Sequence, residues 1–373
     1  MSYLKTIFIL PIFFIFLLIS PNFSYSVSDS HLPYWHYNDA KWWSEGKLSD
    51  ENFLDSIIII LDESETLQNT GENKIPFWFS TVATWFSNYE INQNEYKLVI
   101  KYLHSQNIIQ VSEPLISNTL QDYSFNTFPL IQTFEKDVTL FEVGNYFKDK
   151  VIFDDGNYKF LDIQFGLKTE NHQRYESLKN SSNSVVVSPT LTYSAYTEPG
   201  FYTYYRGECD ESCLTIPINY NKPLDYTSST LGLNILHLLN YPIITDIDLD
   251  QNPKILENYD KVILLHNEYL TKKMFDSIIE HPNVVYLYPN ALYAEVEIDY
   301  ESNTMTLIRG HDYPPENPVS NGFDWKHDNS IYEYDFECGD WKFEKISNGY
   351  MLDCYPEYAV YSDELLLRTL NEL

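Results

Sequence analysis

Two apolar runs in the carboxy-terminal half of the chain break into clusters of groups that titrate or bind metals. Lys261-Val-Ile-Leu-Leu265 gives way to His266-Asn267-Glu268-Tyr269. Val284-Val-Tyr-Leu-Tyr288 gives way, after Pro289, to Asn290-Ala-Leu-Tyr293-Ala-Glu295. Imidazole titrates near neutral pH, so His266, or His311 further on, is a candidate general base. The carboxylates of Glu268 and Glu295 and the phenols of Tyr269 and Tyr293 are hard oxygen donors suited to ferric iron, which polarises a carbonyl or activates water. A second metal reading takes His266, His311 and Glu295 as zinc ligands. In a purely structural reading, Asn267 and Glu268 are loop residues before the helix cap Thr271, and the tyrosines pack under a rim. The chain holds 32 tyrosines, so none of them points to chemistry by its presence alone.

Other chemistries lack their motifs. No cysteine follows a sharp strand-to-helix turn and no G-x-S-x-G elbow is present, which removes covalent acyl transfer by those routes. With only 12 glycines and no G-x-G-x-x-G, a phosphate-cradling loop is also missing. The 54 acidic residues against 24 basic ones give a formal charge of -30, which repels phosphate backbones and anionic lipid, so nucleic acid is not an expected partner.

The elements around these clusters alternate. Val185-Val-Val, Phe201-Tyr-Thr-Tyr-Tyr, Ile243-Ile-Thr, Lys261 to Leu265 and Val284 to Tyr288 read as strands. Leu231 to Leu239, Lys254 to Asn258 and Thr271 to Glu280 read as helices. That alternation predicts a parallel α/β sheet, in which ligands bind beyond the carboxyl ends of the strands. Both polar clusters begin where such a strand ends, on one rim. Downstream, Ala294 to Tyr300 with Thr304 to Arg309, and Trp341 to Cys354 around Asn348-Gly349, read as hairpins that extend or cap the sheet.

The amino-terminal part follows a different rule. Residues 1–26 have the layout of a secretory signal peptide, with one early lysine and an apolar run from Ile7, and no later segment is long and apolar enough to span a bilayer. Residues 27–112 carry an internal repeat offset by about 43 residues, with Trp35, Trp42 and Trp43 answered by Trp78, Trp85 and Phe86. Each copy predicts a first helix bearing aromatics seven residues apart, then a second helix capped by Ser49 or Asn92, with Glu95 completing a capping box. Residues 113–184 read as irregular β structure, including Val151-Ile-Phe and Phe160-Leu-Asp-Ile-Gln-Phe. Four cysteines in an exported chain favour two disulfides, and Cys209 with Cys213 and Cys338 with Cys354 is the simplest of three connectivities.

Three motifs in order carry a family resemblance: Leu265-His-Asn-Glu-Tyr269, Tyr288-Pro-Asn-Ala-Leu-Tyr293-Ala-Glu295-Val, and Thr306-Leu-Ile-Arg-Gly310-His311. The upstream piece Thr192 to Tyr205 fits the opening of the same domain. Residues 185–335 thereby resemble the carboxy-terminal domain of the large (β) subunit of N,N-dimethylformamidase and its archaeal relatives. The resemblance implies a glutamine amidotransferase-like (flavodoxin-like) fold. It also implies one iron ion held by two tyrosines and a glutamate, and hydrolysis of a small amide. Tyr269, Tyr293 and Glu295, with Glu268 as the other acidic choice, are the positions carried over. The chain departs from the family in its short length and in Tyr288-Pro289 where relatives carry glycine. The amino-terminal units resemble tryptophan-rich helical repeats of exported proteins in ammonia-oxidising archaea, read as an accessory or adhesion element for a cell-surface or protein partner. Residues 336–373 form a disulfide-tied hairpin and final helix. The whole predicts a secreted, metal-dependent amidohydrolase acting on small linear amides, or an extracellular binding module that keeps the fold without the chemistry.

Overall fold

β-Branched runs build the centre of the molecule. The computed structural model describes residues 32, 35–61, 68–69, 75–106, 108–109, 111–112, 140–146, 162–220 and 229–373. The expected signal peptide, the Val151-Ile-Phe piece and most of 113–161 lie outside the described residues. Among those described, no helix is long and apolar enough to cross a membrane. His31–Leu373 cluster as one unit.

Helices α1 (Trp35–Ser44), α2 (Asp50–Leu61), α3 (Phe79–Ser87) and α4 (Gln93–Ser105) come first. Their aromatic contacts recur 43 positions apart: Trp43 stacks on Phe53 at 4.4 Å, and Phe86 on Tyr96 at 3.8 Å. In α3 the buried stripe is Phe79, Val82, Ala83 and Phe86, while Trp78 stays 45 % exposed at the helix start. The expected Trp78 and Trp85 face is therefore displaced by one residue, because burying i, i+3, i+4 and i+7 from Phe79 yields the more apolar stripe.

Asn92 caps α4 as expected. Its side-chain oxygen accepts from Asn94 and Glu95 N–H groups, and Glu95 returns a bond to the Asn92 N–H at 2.8 Å. Replacing Asn92 by alanine should cost about 1 kcal/mol, read as a lower urea midpoint at unchanged slope. No change in midpoint would show that this helix end does not limit stability.

Strands β1 (Gln68–Asn69) and β2 (Val111–Ser112) pair antiparallel, as do β3 (Phe141–Tyr146) and β4 (Asp162–Leu167), with α5 (His172–Glu176) following. The main region then runs β5 (Ser184–Ser188), α6 (Thr190–Ala195), α7 (Phe201–Tyr205), β6 (Thr215–Pro217), α8 (Thr230–Leu238), β7 (Ile243–Thr245), α9 (Asp246–Gln251) and β8 (Lys261–Leu264). It continues through β9 (Tyr269–Leu270), α10 (Lys272–Glu280), β10 (Val284–Tyr286), β11 (Ala294–Asp299) and β12 (Thr304–Arg309). Last come β13 (Phe343–Ile346), β14 (Gly349–Leu352), α11 (Ala359–Ser362) and α12 (Glu364–Glu372).

Six strands form one sheet in the order β13-β14-β10-β8-β5-β7, parallel throughout except for the β13–β14 hairpin at one edge. Every residue of β5, β8 and β10 is buried, as strands covered on both faces require. Alternate residues serve two cores. Val185, Val187, Val262, Leu264 and Val284 pack in a core that also contains residues of α1–α4, α9 and α10. Val186, Ile263 and Val285 pack with α8, α11 and α12. Each fully buried valine, leucine or isoleucine stabilises the fold by roughly 1.5–3 kcal/mol relative to exposure. The Asn348-Gly349 turn is sterically fixed: Gly349 has φ +150°, and a Cβ there would lie 1.9 Å from the Val284 carbonyl oxygen of β10.

A second sheet, β6-β12-β11-β9, contains the predicted β11–β12 hairpin. The Phe201–Tyr205 stretch, expected as a strand, is instead the helix α7. Aromatic content favours a strand locally. The helix wins because Thr203 accepts the Gly200 N–H at 2.9 Å and the turn packs Phe201 against Tyr269 at 5.3 Å. Both disulfides take the simplest pairing, Cys209–Cys213 and Cys338–Cys354.

Candidate functional site

The two polar clusters of the sequence meet at the rim. Leaving β8, the chain folds Asn267 back so that its side chain accepts the Leu265 N–H at 2.9 Å. The carbonyl of Asn267 then accepts the Leu292 N–H at 2.9 Å, and that of Glu268 accepts the N–H groups of Tyr293 and Ala294 at 3.1 and 2.8 Å. Thr192 in α6 and Ser229 before α8 complete the frame, their hydroxyls accepting the Glu268 and His266 N–H groups at 3.0 and 3.1 Å. Three other chain segments thus hold the backbone that carries Glu268.

Glu268 is fully buried. Its Oε1 pairs with His311 Nε2 at 2.6 Å, and its Oε2 with His266 Nε2 at 3.3 Å and with the Tyr196 hydroxyl, which donates at 2.9 Å. Burial pushes the carboxyl up, but the hydrogen bonds and charges of the two histidines outweigh it and hold the group at about 2. It is therefore a carboxylate at neutral pH. A buried carboxylate persists only where donors converge on it in this way.

His311 arrives from the end of β12. Gly310 precedes it with φ +122°, and a Cβ there would stand 2.9 Å from the Ala294 Cα, so only glycine brings the two strands this close. The His311 ring stacks on Tyr205 at 4.9 Å and on Tyr269 at 5.6 Å, and meets Tyr293 edge-on at 4.8 Å.

Four phenols gather around the carboxylate. Tyr196 follows α6, Tyr202 and Tyr205 share one face of α7, and Tyr269 opens β9. The Tyr205 and Tyr269 hydroxyls lie 3.4 Å apart. Burial first, and the charge of Glu268 next, raise the pKa of Tyr196 and Tyr269, and both effects also raise those of Tyr202 and Tyr205. With no metal bound, the phenols are therefore neutral.

Of the residues singled out in the sequence, His266, Glu268, Tyr269 and His311 come together. Tyr293 stands half-buried with its ring edge-on to His311 and its hydroxyl 2.9 Å from Ser320 Oγ. Glu295 does not join them: burial raises its pKa, and its charged neighbours are Arg309, Lys272 and Asp276. Among the described residues, no group of three or more His, Cys, Asp or Glu side chains is arranged to hold a metal ion. Any metal here would draw on phenols as well. One carboxylate among four phenols is a donor set whose chemistry fits ferric iron. Sequence reasoning left Tyr196, Tyr202 and Tyr205 without a role. The available signal was the i, i+3 spacing of Tyr202 and Tyr205, which puts them side by side only on a helix.

The fold and the site define an α/β domain with a histidine-braced carboxylate at the carboxyl ends of parallel strands. Residues 164–334 match the model of the N,N-dimethylformamidase beta subunit-like C-terminal family. No curated protein matches the chain.

Proposed function

We propose that this chain is an exported hydrolase of the C–N bond of small linear amides, with residues 185–335 as a glutamine amidotransferase-like domain. The observation that carries this reading is Glu268, held between two imidazoles on the rim within the segment that matches the dimethylformamidase-like family. The two disulfides and the acidic composition support export.

His311 is the general base. Glu268 accepts from its Nε2, which orients the ring and leaves Nδ1 to take a proton from water as the water oxygen attacks the amide carbonyl. The same proton passes to the departing nitrogen as the C–N bond breaks, giving a carboxylic acid and an amine. His266 secures the other oxygen of Glu268 and fixes its orientation. Glu268 with Tyr196 and Tyr269 would hold the iron that the resemblance implies, and Tyr202 lies beside them. The chemistry a bound iron supplies is polarisation of the carbonyl.

The mature chain from about Val27, incubated with N,N-dimethylformamide, should release dimethylamine and carry stoichiometric iron with a tyrosinate absorption band. His311→Ala should lower kcat by ~10²–10⁴-fold while keeping the iron. A folded, iron-free protein that releases no amine would return the competing reading, an extracellular binding module.

A further inference from the structure

The turn that enters β5 carries Asn180-Ser181-Ser182, a tripeptide of the N-x-S type that accepts oligosaccharide on exported proteins. Elsewhere in the chain the pattern occurs only at Asn22-Phe23-Ser24, inside the expected signal peptide, so Asn180 is the acceptor a mature exported chain would keep. The turn is built around the Asn180 side-chain oxygen. Oδ1 accepts the Ser184 hydroxyl at 2.7 Å, the Ser182 N–H at 3.2 Å and the Ser182 hydroxyl at 3.5 Å. The backbone is anchored as well: the Asn180 N–H donates to the Leu239 carbonyl at 2.8 Å, and the Asn183 carbonyl accepts the Asp260 N–H at 2.7 Å.

Every one of these side-chain bonds is accepted by oxygen. An aspartate would accept the same three, more strongly because it is charged, and the chain already holds 54 acidic residues. What the turn does not use is the amide nitrogen: among the described residues Nδ2 has no hydrogen-bond partner. Asn180 is half-buried and Ser181, Ser182 and Asn183 are exposed, so the carboxamide belongs to a surface turn that an enzyme can reach. The location suits a bulky group. Asn180 precedes the amino end of β5, whereas Glu268 follows the carboxyl end of β8, the parallel neighbour of β5. The strand length between those ends is ~13 Å at 3.3 Å per residue, so an oligosaccharide on Asn180 leaves the rim open.

We propose that Asn180 is an N-glycosylation site. Nδ2 attacks the anomeric carbon of an oligosaccharide carried on a polyprenyl phosphate. The carbon–nitrogen bond forms as the bond from that carbon to the phosphate oxygen breaks, the lipid phosphate leaves with the electron pair, and one amide proton passes to a base of the transferase. Nothing is oxidised or reduced. The proposal rests on the export reading and is independent of the hydrolase reading.

The full chain, expressed in a eukaryotic secretory host, is weighed by intact-mass spectrometry before and after peptide N-glycosidase, which converts a glycosylated asparagine to aspartate. The secreted protein should be heavier than its sequence, and the glycosidase should remove the excess and leave aspartate at residue 180 in the peptide map. Asn180→Asp and Ser182→Ala should each abolish the added mass, whereas Ser182→Thr should keep it. Asn180→Asp retains the three accepted bonds, and its secretion shows that it folds. A secreted wild-type chain of unmodified mass, or glycosidase-sensitive mass that persists in Asn180→Asp, would overturn the site. If the chain is not secreted, the export reading fails separately. The site is then judged on residues 27–373 behind a host leader, where glycan at residue 180 upholds it and an unmodified asparagine overturns it.

Discussion

Glu268→Ala should cost about 3–5 kcal/mol of stability and, on the proposed hydrolase reading, lower amide turnover by ~10²–10⁴-fold. The two losses have one cause. The carboxylate is the shared partner of His266, His311 and the Tyr196 hydroxyl, and all three lie at or inside the buried rim. Removing it strands two imidazoles and a phenol and frees the His311 ring to turn. Glu268→Gln separates the contributions, because it keeps the volume and one acceptor but removes the charge. It should recover part of the stability and little of the turnover. Urea unfolding of both variants beside amine-release kinetics is the measurement. An alanine variant as stable as wild type would show that the cluster does not hold the rim together.

The second large effect concerns Glu357, behind the sheet. It is 6 % exposed in the core shared by α8, α11 and α12, and neither of its oxygens has a hydrogen-bond partner of good geometry, although the Tyr288 hydroxyl and the Leu231 amide are the nearest polar groups. Burial drives its pKa from 4.5 up to about 8, only partly opposed by those two groups. In the unfolded chain the group is an ordinary carboxyl, so between pH 4.5 and 8 the folded state binds the extra proton. The stability tied to this group is fully present below 4.5 and is lost as pH rises through about 8. At 1.36 kcal/mol per pH unit, the loss reaches roughly 3–5 kcal/mol by pH 9. Glu357→Gln keeps the shape of the neutral acid without its titration. It should match wild type at pH 4 and exceed it by that amount at pH 9 in urea unfolding. Parallel stability curves for the two proteins across this range would sink the assignment.

Much of the scaffold was legible in local chemistry. The strands β5, β7, β8 and β10 follow from short runs of β-branched and aliphatic residues, α10 from the Thr271 cap, α4 from the Asn92 capping box, and the β13–β14 hairpin from Asn348-Gly349. Each signal spans a few residues; the caps and the turn are satisfied within the element they mark, and the strands by pairing with their neighbours in the sheet. The rim was legible too, because a buried strand that ends in His266-Asn267-Glu268 must place those groups where the sheet stops.

The membership of the site was not. Glu268 and Glu295 are equivalent by residue type and motif, and only the pairing of β9 with β11 separates them. That pairing sets Ala294 beside Tyr269, the β11–β12 hairpin sets Ala294 against Gly310 and Glu295 opposite Arg309, and the two-residue alternation of a strand then directs Glu295 away from the cluster. Tyr202 and Tyr205 share a face only because Phe201–Tyr205 is helical, against local propensity and in favour of packing on Tyr269. The sequence by itself determined the strands, the caps and the rim, since these depend on neighbours along the chain. The tertiary structure alone decided which carboxylate is braced by His311, Tyr196 and Thr192, since that depends on how segments 43 to 76 residues apart are set against one another, which no local pattern encodes.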